Sequence, residues 1–485
     1  MKSMNVPDEV IAVSKALAEA GFEAYLVGGC VRDILLDREP KDWDVATDAR
    51  PEEIQKIFPD TVYENAFGTV GIKTASEDSR CKVIEVTTYR IEGKYTDKRH
   101  PDEVKFASNI EDDLSRRDFT VNAMAMDMKG DVLDPFGGRR DLDARVVRTV
   151  GAPEERFSED ALRLMRAVRF AVELDFEIEL NTRRAIEKLA GGLEAIAKER
   201  VRDELSKILM TRDAAKGIIL LEELDLLRYV LPELREGIGV GQNKHHIYTV
   251  FEHNVRALDY TARENYSLEV RMASLLHDVG KPKSKRGEGP DSTFYQHEYI
   301  GAKMAVRMLD RLRYPRDFVE RVAHLVRMHM FYYDTGVISP AGVRRFVARV
   351  GPENIDDLLK VREADRIGSG VKKAMPYRLR HLLFMIEKVK RDPLSPKMLA
   401  LRGDDLMPLL GIPQSPRVGW ILNALLEEVL DDPARNEKDY LATRAKELNA
   451  LSDDGLKELF AHAQEKKREA EEEAEGEIKK RHRVA

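Results

Sequence analysis

Residues 24–47, AYLVGGCVRDILLDREPKDWDVAT, form the stretch around which the rest of the chain is organised. The apolar run Ala24–Val27 is typical of a short strand, and Gly28 and Gly29 interrupt it. Val31–Leu36 then predicts the first turns of a helix. Because glycine has no Cβ, backbone N–H groups at such a turn can face an anion at close range. The stretch therefore predicts a strand, a phosphate-binding turn and a helix.

Two aspartates follow this turn, since Asp42 and Asp44 flank Trp43. Residues i and i+2 of a strand share a face, so the two carboxylates should project side by side, roughly 7 Å apart along the chain. Paired carboxylates beside a phosphate-binding turn can hold divalent ions for phosphoryl or nucleotidyl transfer. A lone glycine pair is usually a plain turn and a lone D-x-D a solvated loop, but their order and spacing favour a catalytic site.

A third acidic residue, Glu85, lies within the predicted strand Val83–Thr88. It is either an exposed charge at the edge of a sheet or a third carboxylate that faces the metal. The sequence alone leaves both interpretations open.

The size and composition are those of a multidomain globular protein. The 485 residues suggest about three or four domains. Only two cysteines occur, which excludes a disulfide framework and fits a reducing, cytoplasmic compartment. No apolar run approaches the ~18 residues of a membrane span, so no membrane partner is expected. The net charge of −7 argues against bulk-charge coating of nucleic acid, so a polynucleotide would have to contact arginines and lysines gathered on one face.

Three further segments carry structural predictions. Arg90–Lys105 is polar and basic, which predicts a flexible loop that is either a lid or a tolerated insertion. Asp112–Asp127 predicts a helix that turns Phe119 inward. Ser158–Phe170 predicts a second helix, with Ser158 as its N-cap.

Within the second helix, Asp160 precedes three arginines at intervals of three, Arg163, Arg166 and Arg169. This row shares a broad face of the helix. Such a row is usually a surface face with ion pairs, but arginines so close together repel one another unless an anion lies nearby. The row therefore indicates either a solvated face or an anion-binding one.

Six motifs in this order resemble those of the bacterial class II tRNA nucleotidyltransferases, the family of CCA-adding enzymes and bacterial poly(A) polymerases. They are LVGGCVRD, the DWD pair, the long loop ending RHPDEVKF, RRDFTVNAMAMD, DPFGG and EDALRLMRAVRF. The resemblance covers about the first 210 residues. It implies a nucleotidyltransferase head and the transfer of nucleotides to the 3′ end of tRNA.

The resemblance also implies roles for individual residues. Asp42 and Asp44, with Glu85 as the third acidic position, would hold two Mg²⁺ ions. One ion would lower the pKa of the primer's 3′-hydroxyl, and the other would bridge the triphosphate and steady the leaving pyrophosphate. The residues that would bind the nucleotide are Gly28, Gly29, Arg32, Arg117 and Asn122 at the phosphates and ribose, Asp160 and Arg163 at the base, and Arg166 and Arg169 in support of either.

The pair Asp160 and Arg163 would select the base by its hydrogen bonds. An ionised aspartate only accepts, so it matches the amino group of cytosine or adenine, and an arginine only donates, so it matches the neighbouring ring nitrogen. Uracil and guanine present the opposite pattern on that edge. Such a pair would accept CTP and ATP without a nucleic-acid template.

The second half resembles the HD phosphohydrolase superfamily. Histidines and aspartates fall on successive predicted helices in the order H…HD…H…D, and these side chains suit a divalent metal of unknown identity. Some relatives with such a domain have phosphatase or 2′,3′-cyclic phosphodiesterase activity, so the resemblance leaves two interpretations open: a second activity of this kind, or a body that mainly holds tRNA. The residues that match metal ligands are His253, His277, Asp278 and Asp365, with His297 as an extra ligand, whereas His324 and His329 match less securely.

The sequence thus predicts an α+β nucleotidyltransferase head with a mixed sheet, followed by a mostly α-helical neck, HD body and tail. The predicted segments are the head at 1–140, the neck at 141–212, the HD body at 213–395, a tail that contacts tRNA at 396–460 and a charged extension at 461–485.

The predicted function is template-independent addition of CCA to tRNA, with the 3′ end and acceptor arm of tRNA as partner and CTP and ATP as substrates. Three alternatives stay open: an enzyme that adds only the terminal A, a bacterial poly(A) polymerase, and an HD metal phosphohydrolase with an inactive head. The loop Arg90–Lys105 argues against an enzyme that adds only CC, because the resemblance links that loop to addition of the final A.

Overall fold

A computed structural model describes residues 6–63, 68–92, 104–242, 247–331, 333, 340–371, 375–390, 399–431 and 435–459. The chain packs into two compact units, one of residues 1–330 and 357–372 and the other of residues 331–356 and 373–485. The HD body predicted at 213–395 includes residues of both units. The five segments predicted from the sequence stay a prediction. The charged extension predicted at 461–485 lies outside the described residues.

Up to residue 143, the described part of the first unit contains nine strands and five helices. The strands are β1 (Tyr25–Val27), β2 (Asp44–Thr47), β3 (Thr61–Tyr63), β4 (Thr69–Lys73), β5 (Val83–Thr88), β6 (Arg90–Glu92), β7 (Val104–Phe106), β8 (Ala125–Met126) and β9 (Val132–Leu133). The helices are α1 (Asp8–Glu19), α2 (Gly29–Leu35), α3 (Pro51–Ile57), α4 (Ile110–Ser115) and α5 (Gly138–Asp143). Seven of the strands form one sheet in the order β3-β4-β5-β2-β1-β8-β9.

The sheet is mixed because β2 runs parallel to β5, whereas its other pairs are antiparallel. In the parallel pair Asp44 lies opposite Glu85. Ile84 and Val86 are fully buried, and Glu85 between them is exposed on the other face of β5. Paired residues of neighbouring strands project to the same side, so Asp44 and Glu85 share a face. Since β5 lies between β4 and β2, the interpretation of Glu85 as a charge at the sheet edge is wrong.

Three local predictions in this region are corrected by the structure. Asp42 precedes β2, so only Asp44 of the two aspartates belongs to the strand. The predicted loop Arg90–Lys105 has strands at both ends, since β6 pairs with β7. Its centre, residues 93–103, lies outside the described residues, and the lid prediction lies there with it.

The third correction concerns Asp112–Asp127, which does not form one helix. After α4 the chain becomes extended at Phe119, makes a 3₁₀ turn over Thr120–Asn122 and enters β8. The Thr120 N–H donates to the carbonyl of Arg148 instead of to its own turn, so a contact distant in sequence breaks the helix. Phe119 is nevertheless fully buried.

In its described residues, the rest of the first unit consists mainly of helices, with a short parallel pair of strands, β10 (Val146–Val147) with β11 (Glu177–Ile178). Its helices are α6 (Pro153–Glu159), α7 (Leu162–Leu174), α8 (Leu180–Leu189), α9 (Lys198–Leu209), α10 (Ala214–Glu223), α11 (Leu227–Val230), α12 (Pro232–Arg235), α13 (Val250–Arg263), α14 (Leu268–Leu276), α15 (Lys281–Ser284), α16 (His297–Arg311) and α17 (Arg316–Met328). Two helices follow: α18 (Pro340–Val350) in the second unit, and α19 (Ile355–Gly368), which from residue 357 belongs to the first unit.

The predicted N-cap at Ser158 is wrong. Ser158 lies in α6, which starts earlier at a proline, and its hydroxyl donates to the Glu154 carbonyl. The helix breaks instead at Asp160, which is extended, and α7 then begins. The side chain of Asp160 accepts the N–H of Leu162 at 3.1 Å, so it satisfies a backbone donor at the start of α7.

The second unit also contains α20 (Tyr377–Lys390), α21 (Gly403–Leu410), α22 (Pro416–Asp431) and α23 (Lys438–Asn449). Its C-terminal part has an apolar core to which α21, α22 and α23 contribute, including Leu406, Leu425 and Leu441, all fully buried. The predicted fold class, an α+β head followed by a mostly helical remainder, is confirmed. Among the helices of the described residues, none combines the length and apolarity that crossing a membrane requires.

Candidate active site and His/Asp centre

One large cavity in the first unit, of about 1210 Å³, brings together most of the residues predicted to bind a nucleotide. More arginines and lysines than carboxylates line it, despite the negative net charge of the chain. Of the predicted head residues, Glu85 is not part of this lining. The predicted residues that line the cavity are Gly28, Gly29, Arg32, Asp42, Asp44, Arg117, Asn122, Asp160, Arg163, Arg166 and Arg169.

The glycine turn between β1 and α2 keeps the space beside the aspartates open. Gly28 has φ +77°, and a Cβ there would lie 2.8 Å from Nη1 of Arg117 and 3.4 Å from Oδ2 of Asp44. A Cβ on Gly29 would make ordinary contacts instead, 3.5 Å from Nη2 of Arg32 and 3.9 Å from Oδ1 of Asp42. The positive φ therefore favours glycine at position 28, and a Cβ there would displace the Arg117 guanidinium.

The carboxylates of Asp42 and Glu85 repel that of Asp44. Burial raises the pKa of Asp44 to about 7; Arg117 opposes this shift, and the charges of Asp42 and Glu85 add to it. The oxygens of the three carboxylates do not all lie within 4.8 Å of one another. An all-oxygen set of mutually repelling carboxylates fits a hard divalent cation such as Mg²⁺, whose charge would favour the ionised form of Asp44.

The arginines of the cavity are held in fixed positions. Arg32, buried, donates to Oδ1 of Asn122 at 2.7 Å and to Asp33 at 2.9 Å. The ring of Phe170 is flanked by the guanidinium groups of Arg32 and Arg169, whose central carbons lie 5.4 and 4.1 Å from its centroid. These contacts align cationic groups toward one region, as binding of a polyphosphate requires.

Carboxylates that the sequence analysis did not select hold the next arginines. Nε of Arg166 donates to Asp118 at 2.7 Å, and Nε of Arg169 donates to Glu204 at 2.7 Å. Burial would raise the pKa of Asp118, but the Arg166 and Arg163 guanidinium groups lower it to about 2. The charged run RRD at 116–118 was the available signal for Asp118.

The predicted base-reading pair lies where α6 ends and α7 begins. Arg163 donates through Nη1 to Oε2 of Glu159 at 2.5 Å and to the Arg156 carbonyl at 2.9 Å. Asp160 accepts two hydrogen bonds from Arg200 of α9, at 3.2 and 2.7 Å. The arginine row therefore carries ion pairs, as on a surface helix, yet α7 is mostly buried and presents the row to the cavity.

A second centre gathers buried histidines and aspartates from α13, the α14–α15 junction, α16, α17 and α19. Its ligand atoms form two compact groups, each with all atoms within 4.8 Å. The first group comprises His253, His277 and Asp365, and the second comprises Asp278, His297 and His329.

Asp278 connects the two groups. Its Oδ2 lies 3.1 Å from Nε2 of His253, and its Oδ1 lies 3.2 Å from Nε2 of His297 and 3.6 Å from Nε2 of His329. Nζ of Lys281 lies 2.5 Å from Oδ2 and also donates to Gln242. The structure therefore brings together all five predicted ligands and His329, whereas His324 is in neither group.

The rings of this centre are oriented by the backbone. Nδ1 of His277, His297 and His329 lies 2.7–2.8 Å from the carbonyl three residues earlier, which fixes the proton on Nδ1 and leaves Nε2 as the ligand atom. Although burial disfavours the imidazolium, Asp278 and Asp365 raise the pKa of His277 to about 10. A metal cation would replace that proton, because a ligating imidazole is neutral, and imidazole nitrogens suit transition metals.

Comparisons with known proteins identify the family of the chain. Family models match the poly A polymerase head domain at residues 24–148, a probable RNA- and SrmB-binding site of polymerase A at 175–238 and the HD domain at 250–369. An A-adding tRNA nucleotidyltransferase of Deinococcus radiodurans is 38% identical over 418 residues, which span 83% of this chain and 91% of that enzyme. The chain belongs to the bacterial-type tRNA nucleotidyltransferase family.

Two other relatives of this nucleotidyltransferase are CCA-adding enzymes. That of Ligilactobacillus salivarius is 46% identical over 229 residues, which span 46% of this chain and only 55% of that enzyme. The crystal structure of the Bacillus stearothermophilus enzyme in complex with CTP matches with a TM-score of 0.62 and 30% identity, over 93% of this chain and 98% of that one. The resemblance stated from the sequence motifs is thus confirmed, and the roles of individual residues stay predictions.

Changing Gly28 to alanine should damage the nucleotidyltransferase more than changing Gly29. At position 28 the new Cβ meets Arg117 and the backbone is strained, so we expect kcat/KM for nucleotide transfer to fall on the order of 100-fold. Gly29→Ala is the matched control, because its Cβ makes only ordinary contacts. Steady-state transfer assays on both variants check this, and equal losses would contradict it.

Asp118→Asn should destabilise the nucleotidyltransferase in a pH-dependent way. The folded-state pKa lies below the unfolded value, so the carboxylate contributes stability above about pH 4, and this contribution is lost as the pH falls toward 2. We expect a loss of about 2 kcal/mol at pH 7 in urea unfolding. The difference from the unaltered enzyme should shrink at pH 3, and Asp310→Asn, on the exposed surface, should cost little at either pH.

Proposed function

We propose that this nucleotidyltransferase completes the 3′-terminal CCA of tRNA, taking CTP and ATP and releasing pyrophosphate. The observation that carries the proposal is one shared cavity, which is lined both by Asp42 and Asp44 and by Asp160 and Arg163. One nucleoside triphosphate can therefore contact the carboxylates with its phosphates and the Asp/Arg pair with its base. The B. stearothermophilus enzyme of known structure binds CTP.

At the phosphate end, Asp42 and Asp44 would hold Mg²⁺, with Glu85 beside Asp44 in the sheet. When bound, Mg²⁺ acidifies the attacking 3′-hydroxyl of the tRNA and neutralises charge on the triphosphate. The open space at Gly28 and Gly29 admits the phosphates, and Arg32 and Arg117 would contact them. Because Asn122 and the Phe170 ring hold Arg32, little side-chain freedom remains to be lost on binding.

At the base end, Asp160 would accept the amino group of cytosine or adenine, and Arg163 would donate to the ring nitrogen beside it. Uracil and guanine offer a carbonyl oxygen at the position facing the carboxylate. This pattern of one acceptor and neighbouring donors suits both CTP and ATP. Arg166 and Arg169, fixed by Asp118 and Glu204, would support the triphosphate from α7.

Addition of the terminal A alone is the second candidate for the head. It is favoured by the A-adding relative, which aligns over 83% of the chain, whereas the alignment with the L. salivarius CCA-adding enzyme spans 46%. The two candidates use the same residues for chemistry and differ in which tRNA ends they extend. A bacterial poly(A) polymerase would differ again, since it would extend one primer with many adenylates.

For the His/Asp centre we propose metal-dependent hydrolysis of a phosphate ester. What supports this is the convergence of six buried ligands with their Nε2 atoms and carboxylates facing one another. His253, His277 and Asp365 would hold one divalent ion, and His297 and His329 a second, with Asp278 between them. The metal, when bound, would activate a water and polarise the phosphate. The ammonium group of Lys281, next to Asp278, would supply a positive charge near the phosphate of the substrate.

The head is tested with tRNAs that end before CCA, after the first C and after CC, each incubated with labelled CTP or ATP and Mg²⁺. We expect CTP incorporation on the first two and ATP incorporation on the third. Asp42→Ala and Asp44→Ala should each lower transfer by about three orders of magnitude or more, since metal stabilisation supplies several kcal/mol. Asp131→Ala, exposed and outside the cavity, is the control. ATP incorporation on CC-ending tRNA alone would establish the A-adding candidate.

The His/Asp centre is tested with 2′,3′-cyclic AMP in the presence of Mn²⁺, Co²⁺ or Ni²⁺. We expect hydrolysis that disappears in His277→Ala and falls strongly in His329→Ala, because each removes a ligand. His324→Ala is the matched control. His324 lies on α17, the helix whose C-cap is His329, but it belongs to neither ligand group. Hydrolysis that survives His277→Ala would contradict the proposal, and tRNA transfer assays report whether each variant is folded.

A further inference from the structure

Both oxygens of the Asp160 carboxylate are engaged by neighbouring groups. Nη1 of Arg200 donates to Oδ1 at 3.2 Å and Nη2 donates to Oδ2 at 2.7 Å, which is the bidentate geometry of an arginine–carboxylate pair. The backbone N–H of Leu162 donates to Oδ1 as well, at 3.1 Å. The ion pair is largely buried, with 14% of the Asp160 side chain and 27% of the Arg200 side chain exposed, and both residues line the cavity.

We propose that Arg200 is a positioning residue for base selection, which holds Asp160 so that the carboxylate has one acceptor position left for a ligand. This inference rests on the proposed base-reading role of Asp160. Arg200 lies on α9, forty residues further along the chain, and was not among the residues predicted from the sequence.

The number of acceptor positions on the Asp160 carboxylate supports this inference. An ionised carboxylate has about four lone-pair positions, two on each oxygen. Leu162 and Arg200 fill both positions on Oδ1, and Arg200 fills one on Oδ2. Within the described part of the chain, one position therefore remains, and it lies on Oδ2.

The donors of Arg163 complement this single acceptor. Its Nη1 group donates to Glu159 and to the Arg156 carbonyl, and its Nη2 group donates to the Arg116 carbonyl at 3.2 Å. A guanidinium has five N–H donors, so Nε–H and one N–H of Nη2 remain for a ligand among the described contacts. One acceptor beside two donors matches the amino group, N3 and O2 of cytosine, and the amino group and N1 of adenine.

The pairing with Arg200 also excludes guanine. A carboxylate with both oxygens available accepts guanine N1–H and its N2 amino group together, while O6 faces an arginine. That arrangement requires an acceptor position on each oxygen, and Oδ1 of Asp160 has none left. Without Arg200, the carboxylate could rotate about χ2 and present both oxygens to the cavity. Incorporation of GTP should then increase more than incorporation of UTP, because uracil has only one N–H on that edge.

Single-nucleotide incorporation with each of CTP, ATP, GTP and UTP tests the inference, with kcat/KM measured on the tRNA end that the unaltered enzyme extends. We expect Arg200→Ala to lower the preference for the correct nucleotide over GTP by tenfold or more, and the preference over UTP by less. Arg200→Lys keeps the charge but loses the bidentate geometry, so it should shift both preferences in the same direction. Arg202→Ala, on the same helix and outside the cavity lining, should leave them unchanged.

Coupling to Asp160 separates positioning from a general structural effect. If Arg200 acts through Asp160, Arg200→Ala should change the nucleotide preference less than about twofold when added to Asp160→Ala. Circular dichroism establishes that each variant is folded, and if Arg200→Ala is not, Arg200→Lys decides the outcome.

The possible failures are distinguishable. Absence of transfer by the unaltered enzyme overturns the proposed function, and unchanged nucleotide preference in Asp160→Ala overturns the base-reading role of that residue. If Asp160→Ala lowers the preference but neither Arg200 variant does, the positioning role of Arg200 is wrong.

Discussion

Cationic side chains that line one cavity repel one another, and the large cavity of this enzyme depends on how carboxylates offset that repulsion. Arg166 is held by Asp118 and Arg169 by Glu204, so the guanidinium groups keep fixed positions before any phosphate arrives. At the sheet the repulsion is between negative charges. Burial and the charges of Asp42 and Glu85 raise the pKa of Asp44, and a bound cation would offset this repulsion. The proposed substrate, a nucleoside triphosphate with a bound divalent cation, would carry both charges and complement both parts of the cavity.

The His/Asp centre is preorganised by different means. Backbone carbonyls three residues upstream set the ring tautomers, and Asp278 lies between the two ligand groups with an oxygen toward each. Imidazole nitrogens dominate there, whereas oxygens alone form the acidic set of the head, so the two centres favour different metals. The two proposed phosphate chemistries would therefore use ligands that do not compete for one ion.

Local sequence patterns predicted the parts of the structure that depend on local forces. The turn at Gly28, the strand Val83–Thr88 and the histidines on successive helices follow from glycine's conformational range, β-propensity and residue type. The predicted helix over 112–127 failed because the N–H of Thr120 bonds to Arg148, a partner no local pattern reveals. The predicted cap at Ser158 failed because a proline starts α6 earlier.

By itself, therefore, the sequence determined the fold class, the family and most of the residue types that meet at each site, because motifs in a fixed order specify these. Only the tertiary structure decided which side chains pair. The contact of Arg200 with Asp160 and the entry of His329, but not His324, into the ligand cluster depend on how helices approach one another in space. Hydrogen bonds and metal ligation require distances near 3 Å or less, and separation along the chain does not set such distances.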